Sequence, residues 1–455
     1  MMGAHSNCRK PEGAHVKRML AGLAGTMPRS FSVCMLTLLA LSGIARADAV
    51  LDWNAIAVDI AVANKQNPFA QGRTGAIVQL AVFEAVNSIT HEYDPYLGTV
   101  KAPRGTSAEA AAVEAAYKVL STYFPASLTA LNAERSASLA AIADGQGKTD
   151  GIAAGDAAAA DMLQLRASDG SSPGQFKVPG PAVPGDWQAT ASCPIVGGVA
   201  QGIAFNWQFV VPFGIEKASD YLLGPPPALT SEAYARAYNE VMRVGAANST
   251  ERPQDRANVA LFFAATSPTQ ALNQAARQVA MERGGSLTQN ARALALMNMA
   301  INDSLVASFL NKYHYNFWRP ETAIHGGNAD GNRKTEGDAS WTPFIVTPCF
   351  PSYPSNHGSA ANAAAEVLRR IYGEAGHAMT LTNTTVPTIV LHYSSFREIC
   401  ADISDARVYG GIHFRTDQEA GADLGRAVGA AVYRNNLRRT NRAGDDDDWR
   451  DEDDR

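Results

Sequence analysis

Apolar side chains recur at three- and four-residue intervals through most of the chain, the spacing of one face of an α-helix. Trp53, Ile56, Ala57 and Ile60 form one such stripe, and Ile77, Leu80, Ala81 and Ala85 a second. Asn67-Pro68 separates them and Asp94-Pro95 ends the second, so residues 52–97 predict two helices. Three more are predicted over Ala108–Tyr123, Ser127–Ala143 and Ala153–Ala167, divided by Pro125 and by the stretch from Gly145 to Gly151. Helices resume over residues 231–248, 253–265 and 272–283, with Ser231 and Thr250 as caps. The longest run, Thr288 to Trp318, sets Ala293, Leu296, Met297, Ala300, Ile301, Leu305 and Phe309 at helical spacing and is closed by Pro320. A last helix is predicted over Asp417–Arg434. Strand signals are scarce, so the fold class is all-α, with the segments packed as bundles.

Some stretches break this pattern. Ser168 to Pro227 is rich in Pro and Gly and carries Phe205, Phe209, Phe213, Trp187 and Trp207. A long stretch without periodicity inside a compact chain predicts a wrapping segment with its own packed aromatics. It serves either as a structural wrap over the bundle or as the lining of a substrate entrance. The segment Gly326–Thr342 reads as a polar, exposed loop. The tail Asp445–Arg455 has eight acidic residues in eleven and no apolar pattern, so residues 441–455 are expected to be disordered. At the other end, Arg29 precedes the apolar run Phe31–Ile44 and the small-x-small triplet Ala45-Arg46-Ala47. That is the form of a secretory signal cleaved before Asp48, although initiation at Met27 would give a more usual leader length. A buried N-terminal helix is the alternative. The expected organisation is a signal peptide over 1–47, a helical region over 48–285 with its wrap at 168–227, and a site-bearing bundle over 286–440.

Composition adds little to this. Of 455 residues, 46% are hydrophobic and 18% charged, and the net charge is −5, so no nucleic-acid partner is expected. No unbroken run of eighteen apolar residues follows residue 50, and no integral membrane segment is expected in the mature chain. Cleavage would leave Cys193, Cys349 and Cys400, of which one pair could bridge in an oxidising periplasmic or secreted location. Their spacings match no zinc pattern.

Candidate chemistry gathers in three segments. In Phe350-Pro-Ser-Tyr-Pro-Ser-Asn-His-Gly-Ser359, Pro351 and Pro354 forbid a helix, and Pro348 lies just ahead. From Asn362 to Tyr372 the residues are helix formers. Ser355, Asn356 and His357 therefore sit where a stiff loop enters a helix, where free N–H groups and the positive dipole end attract an anion. His357 there is either a proton donor to the anion or a cap. The second segment runs from Lys312 to Pro320. Its cations, Lys312 and Arg319, are seven residues apart. On a helix they would share one face about 10 Å apart along the axis. They are either two solvated charges or, among Tyr313, Tyr315, Phe317 and Trp318, buried cations in need of an anion. The third segment places Arg407 six residues before His413, with Gly410-Gly411 between to let the backbone turn. Asp417, four residues after His413, either fixes the ring tautomer or caps a helix. Three cations, a helix N-terminus and two histidines suit a tetrahedral oxyanion, one imidazole bonding the central atom and the other moving protons.

The three segments together resemble the signature of the vanadium-dependent haloperoxidase and type 2 phosphatidic acid phosphatase superfamily: Lys-x6-Arg-Pro, Pro-Ser-Gly-His and Ser-Arg-x5-His-x3-Asp. Here they read Lys312…Arg319-Pro320, Pro354-Ser355-Asn356-His357 and Ala406-Arg407…His413…Asp417. The opening at Trp53 and the AVFEAVNSI stretch also look like the bacterial haloperoxidase branch. Two positions depart from the signature: Asn356 stands for glycine and Ala406 for serine.

The resemblance implies an exported haloperoxidase that oxidises halide with hydrogen peroxide to hypohalous acid, on vanadate, with an organic acceptor as a further partner. It implies His413 as the vanadium ligand and His357 as acid–base. Lys312, Arg319 and Arg407 would neutralise the oxyanion, Ser355 and the Asn356 N–H would donate to it, and Lys312 would polarise the bound peroxide. Phe350 occupies a position that varies with halide preference in the family. Phosphate fits the same site, so a phosphatase with His413 as nucleophile is the competing expectation. A non-catalytic oxyanion-binding protein is the third, motivated by Asn356 and Ala406. His314, His325, His377 and His392 are expected to be structural or surface residues.

Overall fold

The computed structural model of the chain describes residues 48–440; the expected signal peptide and acidic tail lie outside the described residues. Thirteen α-helices make up most of the described residues, with four short strands, which is the all-α class expected. The first group is α1 (Ala49–Ala63), α2 (Pro68–Thr90), α3 (Ala108–Tyr123), α4 (Leu128–Ala140) and α5 (Gln146–Leu165). After a long irregular segment with a small hairpin, β1 (Ile195–Val196) and β2 (Val199–Ala200), come α6 (Glu232–Val244), α7 (Gln254–Ala265) and α8 (Pro268–Arg283). The third group is α9 (Leu287–Tyr315), the short α10 (Pro320–His325) and α11 (Asn356–Tyr372). An antiparallel hairpin, β3 (Ala375–Leu381) with β4 (Leu391–Ser395), leads into α12 (Phe396–Tyr409) and α13 (Arg415–Asn435).

Local chemistry sets the helix starts. Asp48, Asn67, Ser107 and Ser231 cap α1, α2, α3 and α6 through side-chain oxygens, each such cap worth about 1 kcal/mol. Ser267 with Gln270 and Ser286 with Gln289 close capping boxes on α8 and α9. Thr250 caps nothing, because α7 begins after Pro253, and α8 starts at Pro268, four residues ahead of expectation. Helix α5 starts at Gln146 because its glycines serve packing, not chain breaking. Side chains at Gly147, Gly151 and Gly155 would run into the backbone carbonyls of Gly105, Ser107 and Ala111. Gly421, Gly425 and Gly429 of α13 lie equally close to the carbonyls of Ser355, Ser359 and Ala363 on α11.

The core is built round α9. This helix is apolar and long enough to cross a membrane, and most of it is buried inside the protein. Its apolar face is covered by α2, α11 and α13, within one hydrophobic cluster that runs from Val50 to Leu437. Polar residues of α9 hold the irregular segment. Buried Asp303 accepts the N–H groups of Phe213, Gly214 and Ile215 at 2.7, 2.6 and 3.0 Å, and Asn311 accepts that of Leu223 at 2.8 Å. A Cys193–Cys349 disulfide joins the same segment to the loop ahead of α11, leaving Cys400 as a buried thiol that burial pushes up to about 12. The segment thus wraps the bundle, and its Ile203 also reaches the wall of the cavity described next.

The expected Gly326–Thr342 loop is irregular, but Gly327, Asp330, Thr335 and Trp341 within it are buried, so it is not wholly exposed.

Candidate active site

Lys312 and Arg319 do not share a helix. Asn316 turns left-handed (φ 49°) and ends α9 four residues after Lys312, and Arg319 lies beyond it, immediately before Pro320 of α10. Both side chains are nonetheless wholly buried and flank Phe350, whose ring centre is 5.3 Å from Lys312 Nζ and 5.0 Å from Arg319 Cζ. Lys312 Nζ donates to the carbonyls of Pro351, Ser352 and Pro354 at 2.9, 2.8 and 2.5 Å. Burial and Arg319 push its ammonium well below the usual lysine range. Three carbonyl acceptors still require three N–H groups, so the charged form stands. The lysine expected to face the anion therefore pins the Pro-rich loop that carries it.

That loop enters α11 with Ser355 as cap, its Oγ accepting from Gly358 N at 3.2 Å. Gly411 (φ 81°) makes the turn the sequence required between Arg407, at the end of α12, and His413, just ahead of α13. A side chain at Gly411 would strike Pro343 at 3.0 Å, so both the angle and the space demand glycine. The Ser355 N–H donates to the Asp417 carbonyl at 2.9 Å, which ties the second segment to the third.

His413 is 3% exposed, and its neighbours fix its tautomer. Nδ1 lies 2.9 Å from Asp417 Oδ2 and Nε2 lies 2.9 Å from Arg319 Nη1. A guanidinium only donates, so Nε2 is the lone-pair nitrogen and Nδ1 carries the proton. Asp417 Oδ2 also accepts from Ser352 Oγ at 2.5 Å and from Phe414 N at 3.1 Å. It therefore both orients the histidine and closes the first turn of α13. Burial raises the Asp417 carboxyl to about 6, partly offset by Ser352 and the cations. Burial, then Arg319, Lys312 and Arg407, holds His413 well below the usual histidine range. Burial, then Arg407, Lys312 and Arg319, does the same to His357, whose Nε2 lies 3.3 Å from Arg407 Nη1. Both rings are uncharged at neutral pH. Burial also lowers Arg319 to about 9 and Arg407 to about 10.

Three cations thus face one carboxylate in a buried setting. Arg319 Nη2, Arg407 Nε and Arg407 Nη2 are buried with no hydrogen-bond partner among the described residues. Each such donor costs on the order of 1–3 kcal/mol while unmet. Beside them lies a cavity of about 610 Å3. Asn356, His357, Arg407 and His413 line its polar end, and Phe69, Ile203, Phe344 and Phe350 belong to its apolar walls.

Residues 292–442 match the family described as VCPO second helical-bundle domain. Over 275 residues the chain is 26% identical to the vanadium chloroperoxidase of Curvularia inaequalis, a match covering 45% of this chain and 44% of that protein. Residues 292–442 thus resemble the second helical bundle of the vanadium haloperoxidases. The chain spans less than half the length of that curated relative. Two solved structures share the fold. A bacterial vanadium-dependent iodoperoxidase aligns with a TM-score of 0.70 at 23% identity, covering 87% of this chain and 97% of that one. An apo bacterial vanadium-dependent chloroperoxidase aligns with a TM-score of 0.65 at 16% identity, covering 81% and 92%.

The signature residues this chain keeps are gathered here, with Lys312 turned to the loop. Unmet guanidinium donors, a helix N-terminus and one imidazole lone pair fit a tetrahedral oxyanion such as vanadate. Ala406 is wholly buried in the apolar cluster, so the serine hydroxyl it lacks would have pointed into core. Sequence reasoning missed Ser352, which bonds Asp417 and lies 3.3 Å from His413 Nδ1; its one signal was its place between the two loop prolines. His325 and His377 bond backbone carbonyls at 2.7 and 3.0 Å, and His392 bonds Thr380 at 3.1 Å, all away from the cavity. His314, packed edge-on to the Tyr315 ring, is also outside it.

Proposed function

We propose that the chain is a vanadate-dependent haloperoxidase that oxidises halide with hydrogen peroxide to hypohalous acid. The carrying observation is the set of unmet guanidinium N–H groups on Arg319, which contacts His413 Nε2, and on Arg407, which contacts His357 Nε2. The resemblance to the vanadium chloroperoxidase of Curvularia inaequalis supports the same reading. Vanadate, when bound, supplies a Lewis-acid centre for peroxide activation.

The rest is work for this chain's own side chains. Arg319 and Arg407 neutralise the oxyanion with charge-assisted donors, and the backbone N–H groups at the start of α11 add to them. His413 Nε2 is the ligand atom, held in register by the Nδ1 proton on Asp417. His357 Nε2, unprotonated beside Arg407, takes the proton that hydrogen peroxide gives up and returns it to the product. Lys312 fixes the loop and adds positive potential from behind it. The cavity far exceeds the needs of peroxide and a halide ion, and its apolar walls suit an organic acceptor.

A soluble phosphatase is the second reading. It is favoured by Lys312, whose ammonium is engaged by three loop carbonyls, and His413 Nε2 would then attack phosphorus. Export is part of the proposal, supported by Ala45-Arg46-Ala47 and by the Cys193–Cys349 bridge, which suits an oxidising compartment.

Orthovanadate titration by calorimetry, beside a halide-oxidation assay, tests the roles. His413→Ala is expected to bind weakly through the charged cradle and to lose nearly all turnover. His357→Ala is expected to bind normally and lose about 10²–10⁴-fold in rate. His413→Ala with wild-type affinity and turnover would remove the ligand assignment.

A further inference from the structure

Asn356 departs from the glycine of the superfamily signature, and its side chain has a defined place. It is the first residue of α11, 7% exposed, and its Oδ1 accepts from Ser308 Oγ at 2.7 Å. Ser308 is wholly buried in α9. An amide whose oxygen is held on one side presents its NH2 on the other. Nδ2 makes no hydrogen bond among the described residues, and Asn356 lines the cavity beside His357, Arg407 and His413. The opposite flip would set Oδ1 against the oxygens of a bound anion, so anion and hydroxyl select the same orientation.

We infer that Asn356 Nδ2 is an additional donor to the bound oxyanion, supplied by the side chain that replaces glycine, and that Ser308 is the positioning residue that aims it. The inference rests on reading the cavity floor as an oxyanion site. Glycine at this position offers only its backbone N–H. Asparagine keeps that N–H and adds a second donor without adding charge, in a site already crowded with cations.

Calorimetric titration of inorganic phosphate, and separately of orthovanadate, into wild type, Asn356→Gly, Ser308→Ala and the double variant tests this, with thermal melts as a folding control. Loss of one hydrogen bond to a charged group predicts affinity roughly 10- to 100-fold weaker in Asn356→Gly. Ser308→Ala is expected to weaken binding a few-fold in wild type and to have no further effect on Asn356→Gly, a non-additivity that loosened packing would not produce. Asn356→Asp keeps the Ser308 bond but turns an oxygen toward the anion, and is expected to bind more weakly than Asn356→Gly. Should glycine lower the melting temperature, Asn356→Ala makes the same comparison. Wild-type affinity in Asn356→Gly would overturn the donor role alone. Equal losses from Ser308→Ala in both backgrounds would overturn the positioning role. A wild-type protein that binds neither anion would overturn the oxyanion reading itself.

Discussion

Asp417→Asn separates the charged cradle from the covalent anchor proposed for His413. In the native site one carboxylate oxygen accepts from Ser352 Oγ, His413 Nδ1 and Phe414 N. Its carboxyl is raised from 3.8 to about 6 by burial, so its charged form is disfavoured by about 3 kcal/mol at 1.36 kcal/mol per unit. Asparagine removes that penalty and keeps an acceptor for His413. It also buries an amide NH2 where Oδ1 has no partner, a cost of about 1–3 kcal/mol. The two nearly cancel, and folding stability at neutral pH is expected within about 2 kcal/mol of wild type. The hold on the His413 tautomer weakens, and loss of such an orienting carboxylate costs about 10- to 100-fold in metal affinity. Phosphate held by charge alone should bind no more weakly, because a negative group has left the site. Calorimetry with phosphate and with orthovanadate reads the difference. Equal losses for both anions, or unchanged orthovanadate affinity, would refute the reasoning.

Other outcomes follow from the same geometry. His357 and His413 titrate below their unfolded value near 6.5, so the unfolded chain binds more protons below that pH and stability falls as pH falls through it. Asp417, raised to about 6, acts in the opposite sense and adds stability as pH falls from 6 toward 4. Melting temperatures should therefore drop first between pH 7 and 6, and His357→Ala should flatten that slope. The Cys193–Cys349 bridge spans a sequence separation of 156, so Cys193→Ser is expected to cost up to about 5 kcal/mol, read by denaturant unfolding. Gly425→Ala pushes α11 off α13 and is expected to cost about 1–3 kcal/mol and to weaken phosphate binding with it. N-terminal sequencing of exported material is expected to begin at Asp48, and a start at residue 1 would contradict export.

Much of this was legible beforehand because helix period and cap chemistry are local. The stripe from Ala293 to Phe309 and the cap at Ser231 are readable within a few residues. What failed was tertiary. Gly147 and Gly151 read as a chain break, yet they let α5 approach α3, a use of glycine that no single segment reveals. The β3–β4 hairpin was not read at all, although His377, Met379 and Leu381 alternate inward, because three positions make a weak signal. Lys312 and Arg319 read as one helix face because Asn316 looks like an ordinary helical residue; Pro320, four positions later, is the sign of the break. The candidate site is legible because three short motifs carry its residues. The direction of Lys312 and the roles of Ser352 and Ser308 depend on a loop path fixed only by the folded chain.

The most direct test of the central claim is a paired assay on one purified sample of the chain. Oxidation of chloride, bromide and iodide by hydrogen peroxide would be measured with and without orthovanadate, beside phosphomonoester hydrolysis. The account predicts halide oxidation that appears only with orthovanadate and is suppressed by competing phosphate. Phosphomonoester hydrolysis without orthovanadate, together with no oxidation of any halide in its presence, would contradict it.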